Sequence, residues 1–117
     1  KQKMGRIINI ASTNGIDTVY PESIDYDASK AGVISLTKNL AIQYAPYVLV
    51  NTVAPGWVNT PMNQELDPEM IRDEEKKIMV GRFASSEEIA HVVVFLASDQ
   101  ASYINASVIR VDGGFYV

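Results

Sequence analysis

The sequence predicts an α/β domain built on a parallel sheet, and three observations carry that reading. Three short β-branched, apolar runs, at residues 6–11, 48–54 and 107–111, have the composition of strands buried on both faces. Longer stretches with apolar residues at helical spacing separate them. The resulting order of strand, helix, strand, helices, strand is the alternation expected of a parallel sheet with right-handed crossovers.

The first run, Arg6-Ile7-Ile8-Asn9-Ile10-Ala11, leads into a polar turn, Ser12-Thr13-Asn14-Gly15. Residues 18–25 contain Pro21 and several polar side chains, so a loop is expected there. A helix is expected over residues 26–44, where Val33, Leu36 and Leu40 form an apolar stripe and Ala28, Ala31 and Ser35 a small one. Pro46 stops it. The second strand, 48–54, ends at Pro55-Gly56, and residues 57–68 show no regular pattern.

Pro68 suits the first turn of a charged helix over 69–80, where its missing N–H does no harm. Ser85-Ser86-Glu87-Glu88 reads as a capping box, opening a helix whose Ile89, Val92, Val93 and Leu96 share one face. The third strand, 107–111, is followed by the turn Asp112-Gly113-Gly114.

A chain of 117 residues is long enough for one compact domain and too short for two. No apolar run has the length of a membrane span, and the first residues do not read as a signal peptide. Cysteine is absent, which excludes disulfides, thiolate zinc sites and thiol nucleophiles and fits a cytoplasmic location. A net charge of −4 with dispersed Lys and Arg argues against a nucleic-acid partner. Lys76-Lys77, directly after Glu74-Glu75, reads as a solvated helix face. With one His and no ligand spacing, no metal site is expected.

Three polar residues can converge on one site. Ser12 lies at the C-terminal end of a strand, where open α/β sheets bind ligands. Tyr26 and Lys30 are four apart at the start of the next helix, so they share a face. A lysine cation beside a phenol favours the phenolate and suits it to proton transfer. Ser12 could then hydrogen-bond the oxygen of a carbonyl or alcohol held beside Tyr26. Taken alone, a Tyr-x-x-x-Lys pair reads more readily as an ordinary partly buried Tyr with a solvated Lys.

The surrounding segments decide between these readings. Gly5-Arg6-Ile7-Ile8-Asn9-Ile10-Ala11-Ser12, Tyr26-Asp27-Ala28-Ser29-Lys30-Ala31-Gly32 and Val50-Asn51-Thr52-Val53-Ala54-Pro55-Gly56 resemble, in order, segments of the short-chain dehydrogenases/reductases. Gly81-Arg82-Phe83, Glu87-Glu88-Ile89-Ala90, Phe95-Leu96-Ala97-Ser98-Asp99 and Val111-Asp112-Gly113-Gly114 continue the likeness along almost the whole chain. Within the family it is nearest to the 3-oxoacyl-[acyl-carrier-protein] reductases of fatty acid biosynthesis.

The resemblance implies the C-terminal half of a Rossmann-like, doubly wound parallel sheet with three parallel strands and crossover helices. It implies carbonyl/alcohol interconversion with NAD or NADP, the reductase likeness favouring NADP, on a small carbonyl or acyl-thioester substrate. Tyr26 would be the general acid in reduction, Ser12 would hold the substrate oxygen, and Lys30 would favour the phenolate and hydrogen-bond the nicotinamide ribose. Pro55, Gly56, the backbone of Val58 and Thr60 would adjoin the nicotinamide carboxamide. The alternative for Thr60, less favoured, is an ordinary turn hydroxyl.

Trp57, Met62, Met70, Ile71 and Met79 are candidates for an apolar substrate pocket, or for packing of that segment onto the domain. His91 reads as structural or solvated; Tyr103, Phe115 and Tyr116 read as core or subunit contacts. Where relatives carry Thr-Gly after the Ile of Tyr103-Ile104-Asn105-Ala106, a turn is expected that Ala106 makes less comfortable.

None of the seven glycines forms Gly-x-Gly-x-x-Gly or the family's Thr-Gly-x-x-x-Gly-x-Gly, and the asparagine that completes the family's catalytic set has no counterpart. Residues 1–117 are therefore expected to be the catalytic half of one domain without its nucleotide-binding half. Homo-oligomerisation, as dimer or tetramer, is expected through the 26–44 helix, with Ala28, Ala31 and Gly32 permitting close approach of a second copy or, equally, packing on the sheet. The competing reading is an inert half-domain that acts only in self-association.

Overall fold

The computed structural model describes residues 4–17 and 21–115. Three parallel strands form its sheet, in the order β1 (Gly5–Ile10), β2 (Val48–Pro55), β3 (Val108–Val111). They are joined through α1 (Ile24–Tyr44), α2 (Pro61–Gln64), α3 (Pro68–Glu75) and α4 (Ser86–Ala97). The α/β class and the parallel pairing are those expected from the sequence, and the strands lie within one residue of the expected bounds.

The central strand is covered on both sides: Val50, Asn51, Thr52, Val53 and Ala54 are each at most 1% exposed. Successive strand residues point to opposite faces, and here they meet different helices. Val53 joins Leu96 and Ala101 in the apolar core, with Ile89, Val92 and Val93 of α4 and Ile8, Ile109 and Val111 of the strands around them. On the other face, the Thr52 hydroxyl donates to Thr37 Oγ1 of α1 at 2.6 Å.

The loop before β3 is tied to β2 by two asparagines. Asn51 Nδ2 donates to the Ile104 carbonyl while its Oδ1 accepts from the Ser107 N–H, both at 3.0 Å. Asn105 Oδ1 accepts from the Val50 N–H at 2.9 Å. Ala106 sits between them at φ 57°, in the left-handed region that glycine favours, as the departure from the family pattern predicted.

Local chemistry accounts for the ends of α4. Ser85 Oγ accepts from the Glu88 N–H at 3.2 Å, and the Glu88 carboxylate accepts from the Ser85 N–H at 2.8 Å, a complete capping box. Arg82 grips the same carboxylate through two bonds of 2.8 and 2.9 Å. Its hydrogen bond, with the Ser85 N–H second, holds Glu88 down at about 2 from an ordinary 4.5.

Several expectations are corrected. The start of α1 is Ile24, two residues before the expected Tyr26, and a 3₁₀ turn, Pro21–Ser23, precedes it in the stretch expected to be loop. Thr18 of that stretch lies outside the described residues. The irregular segment 57–68 contains α2, capped by Thr60. The helix expected over 69–80 is only Pro68–Glu75, because Ile78 bridges to Phe115 and the Met79 and Val80 N–H groups donate to the carbonyls of Gly114 and Gly113. Tyr103 is fully exposed and so is not core; Tyr116 lies outside the described residues. Among the described residues no helix is long and apolar enough to cross a membrane.

Candidate active site

The C-terminal ends of β1 and β2 open onto a cleft of about 430 Å³. Parallel strands deliver their loops to this end, which is why residues far apart in sequence meet there. Ser12, just beyond β1, and Tyr26, in the first turn of α1, both line it. Ser12 is 8% exposed and Tyr26 46%, so the cleft holds a sheltered hydroxyl and a phenol open to incoming molecules.

Lys30 stands one turn along α1, its Nζ 5.6 Å from the centroid of the Tyr26 ring. It donates to the Ile10 carbonyl at 3.4 Å, which draws the ammonium to the end of β1. Lys30 itself does not line the cleft. The predicted trio is thus assembled at one strand end, with Ser12 and Tyr26 facing the cleft.

Gly56 also lines the cleft. Its N–H donates to the Val111 carbonyl at 3.1 Å, and a Cβ there would come within 2.8 Å of the Asp112 Cβ. Only glycine lets the turn after β2 pass so near the end of β3. Pro55, Val58 and Thr60 belong to the same strand end but do not line the cleft. Pro55 closes β2 opposite Val111, and Val58 bridges to Ala84. Thr60 Oγ1 caps α2 by accepting from the Asn63 N–H at 3.3 Å, the local role named as its alternative.

Trp57, Met70 and Phe115 form the apolar wall. Trp57 stacks on Phe83 with ring centroids 5.2 Å apart and planes 8° apart. Its indole N–H donates to Glu74 Oε2 at 3.2 Å. Glu74 is 7% exposed and its other oxygen pairs with Lys77 at 3.2 Å, so its carboxylate is both buried and satisfied. Of the other residues proposed for this wall, Met62 and Met79 are largely exposed elsewhere and Ile71 does not reach the cleft. His91 is exposed on α4.

Several polar lining residues were not anticipated: Thr13, Asn14, Glu22, Ser23 and Asn63. Asn63 Nδ2 donates to the Val58 carbonyl at 2.7 Å, bracing the turn after β2. Only Asn14 left a local signal, as an Asx residue beside Gly15 immediately after a strand.

Comparison with known proteins identifies the family and the fold. Residues 1–116 match the family described as enoyl-(acyl carrier protein) reductase. The chain is 47% identical over 117 residues to the 3-oxoacyl-[acyl-carrier-protein] reductase FabG of Aquifex aeolicus, covering 99% of this chain and 47% of that protein. A crystal structure of 3-oxoacyl-[acyl-carrier protein] reductase from Brucella melitensis superimposes with a TM-score of 0.91 at 34% identity, over 97% of this chain and 42% of that one. A second such reductase from Brucella melitensis, with bound NAD, gives a TM-score of 0.85 at 33% identity, over 97% and 41%. The chain spans about half the length of the curated relatives it matches. Its three-stranded parallel sheet with helices matches part of their Rossmann-like fold, and the chain belongs to the short-chain dehydrogenase/reductase family, with its likeness running to the 3-oxoacyl-[acyl-carrier-protein] reductases.

Proposed function

We propose that this chain is the catalytic half of a nicotinamide-dependent carbonyl reductase acting on 3-oxoacyl thioesters or similar small ketones. The meeting of Ser12 and Tyr26 in one cleft, with Lys30 against the Tyr26 ring, carries the reading. Tyr26 would give its phenolic proton to the substrate oxygen in reduction and take it back in oxidation. Ser12 would hold that oxygen by a hydrogen bond that strengthens as charge develops on it. Lys30 would stabilise the phenolate left behind. The apolar wall of Trp57, Met70 and Phe115 suits an uncharged acyl chain and keeps water from the reacting carbonyl.

The donors at this strand end fit the nicotinamide end of NAD or NADP. An ammonium has three protons, and Lys30 spends one on Ile10, leaving donors for a ribose hydroxyl. Thr60 uses its oxygen as an acceptor in the α2 cap, so its hydroxyl proton stays available to a carboxamide oxygen. The Val58 N–H finds no acceptor among the described residues, while its carbonyl is taken by Asn63. Bound there, the cofactor supplies or accepts a hydride. A pyrophosphate-binding, glycine-rich turn is absent from the sequence, so that part of the site would come from further sequence, as the length of the relatives suggests.

Trp57 is the chain's one tryptophan and lines the cleft, so its emission reports binding. In the complete enzyme, acetoacetyl-CoA should quench it and should drive oxidation of NADPH or NADH. Neither quenching nor turnover with a panel of 3-oxoacyl thioesters and ketones would reject the reading.

One observation favours self-association alongside catalysis. Ala28, Gly32 and Leu36 are exposed at helical spacing on α1, and nothing lies within 4 Å of where a Gly32 Cβ would be. Leu36 and Ile42 are 51% and 79% exposed. A helix face this smooth and apolar suits close packing against a second copy. Leu36→Glu should then lower the sedimenting mass; an unchanged mass would remove α1 as the interface.

A further inference from the structure

We propose that Asn14 and Asp27 are positioning residues for Ser12, a relay that orients its hydroxyl and seats its loop against the helix carrying Tyr26. The inference rests on the proton-transfer reading above and adds to it two residues with no role there.

The relay is read from its fixed end. Asp27 lies next to Tyr26 in the first turn of α1, and its Oδ1 accepts from Asn14 Nδ2 at 2.8 Å and from the Ser23 hydroxyl at 3.4 Å. A carboxylate offers only acceptors, so Asn14 must turn its NH₂ toward Asp27 and its carbonyl oxygen away. That oxygen lies 3.5 Å from Ser12 Oγ, while the Asn14 N–H donates to the same Oγ at 3.2 Å.

Ser12 thus accepts on one side and has its proton drawn toward Asn14 Oδ1 on the other. Accepting a bond makes a hydroxyl a stronger donor. A contact of 3.5 Å lies at the outer limit of a hydrogen bond, so a substrate oxygen that comes nearer captures the proton. The Ser12 proton therefore rests in a weak bond that is easily exchanged.

The loop is seated at a second point. A Cβ at Gly15 would come within 2.7 Å of the Ala31 nitrogen and the Lys30 carbonyl carbon, so the turn rests directly on the backbone of α1. The Gly15 N–H closes the turn onto the Ser12 carbonyl at 2.9 Å. Gly15 sets the approach and the Asn14–Asp27 bond sets the rotation. Together they couple Ser12 to the helix that presents Tyr26 and Lys30.

The test uses the complete enzyme with acetoacetyl-CoA and NADPH, and reads both turnover and amide exchange. Asn14→Ala should lower kcat about tenfold, the scale of one lost hydrogen bond to the reacting group, with cofactor affinity unchanged. The Asn14 and Gly15 amides should exchange about tenfold faster while those of β2 stay protected.

Asn14→Asp sets two carboxylates against each other and should be worse. Asn14→Asp with Asp27→Asn exchanges donor and acceptor and should regain most of both kcat and protection. Unchanged exchange at Asn14 and Gly15 would overturn the proposal, and so would a swapped pair that restores protection but not kcat. Tyr26→Phe run beside them separates the two readings. If it is inactive while Asn14→Ala turns over normally, only the relay fails. If it stays active, the acid assignment fails, and the exchange data still decide whether the relay seats the loop.

Discussion

The two long helices pack on opposite faces of one sheet by different chemistry. Helix α4 presents an apolar stripe to the strands, buries Leu96 to 1% exposure and is locked at its start by a capping box. Helix α1 has 21 residues yet buries only Thr37 and Ala41. Its hold on the sheet centres on a polar node, where Thr37 Oγ1 accepts from Asn9 Nδ2 at 2.9 Å and from the Thr52 hydroxyl at 2.6 Å and donates to the Val33 carbonyl at 2.9 Å. A helix anchored along one narrow line keeps its other faces for work. On α1 one of them carries Tyr26 and Lys30, and another exposes Gly32, Leu36 and Ile42.

The contrast can be broken most forcefully at Leu96. Leu96→Ala should cost about 2–5 kcal/mol in denaturant unfolding, as expected for a large buried side chain whose cavity cannot fully collapse. Thr37→Val is the matching test of α1. Shape is nearly preserved, but the Asn9 amide and the Thr52 hydroxyl lose their acceptor in a buried site, a loss of about 2 kcal/mol. A neutral Thr37→Val would show that packing alone, and not the polar node, holds α1.

Ser85→Ala should cost about 1 kcal/mol by removing the α4 cap. The partner of that cap adds a pH dependence. Glu88 is held down at about 2 against an ordinary 4.5, so its contribution is complete above about 4.5 and disappears as pH falls through about 2. Circular dichroism should show α4 loosening over that acid interval, and Glu88→Gln should remove the dependence there. Leu36→Glu, on the outward face of α1, should change the stability of the separated protomer by no more than about 0.5 kcal/mol, its cost falling on association instead.

What could be read in the sequence divides along the same line. The Ser85–Glu88 box and the α4 stripe are local patterns, and both are present as expected. Ser12, Tyr26 and Lys30 were legible because a strand end and an i,i+4 spacing place them. The strain at Ala106 was legible because one residue departs from a pattern that needs glycine.

The end of α3 was not legible. It is decided by Ile78 pairing with Phe115 and by Gly113 and Gly114 accepting from Val80 and Met79, contacts that sequence periodicity does not encode. The Asn14–Asp27 bond and the place of Phe115 in the cleft wall likewise exist only once distant segments meet. Thr60 caps a short helix hidden by the irregular pattern of 57–68, an engagement the sequence did not show.

The most direct test of the central claim is the turnover of Tyr26→Phe in the complete enzyme, measured together with cofactor affinity. The substitution removes one hydroxyl from the cleft and leaves the ring against Lys30 in place. Loss of carbonyl reduction by about a hundredfold or more, the scale of one general acid, with cofactor binding retained, is the predicted result. Turnover at the wild-type rate would contradict it.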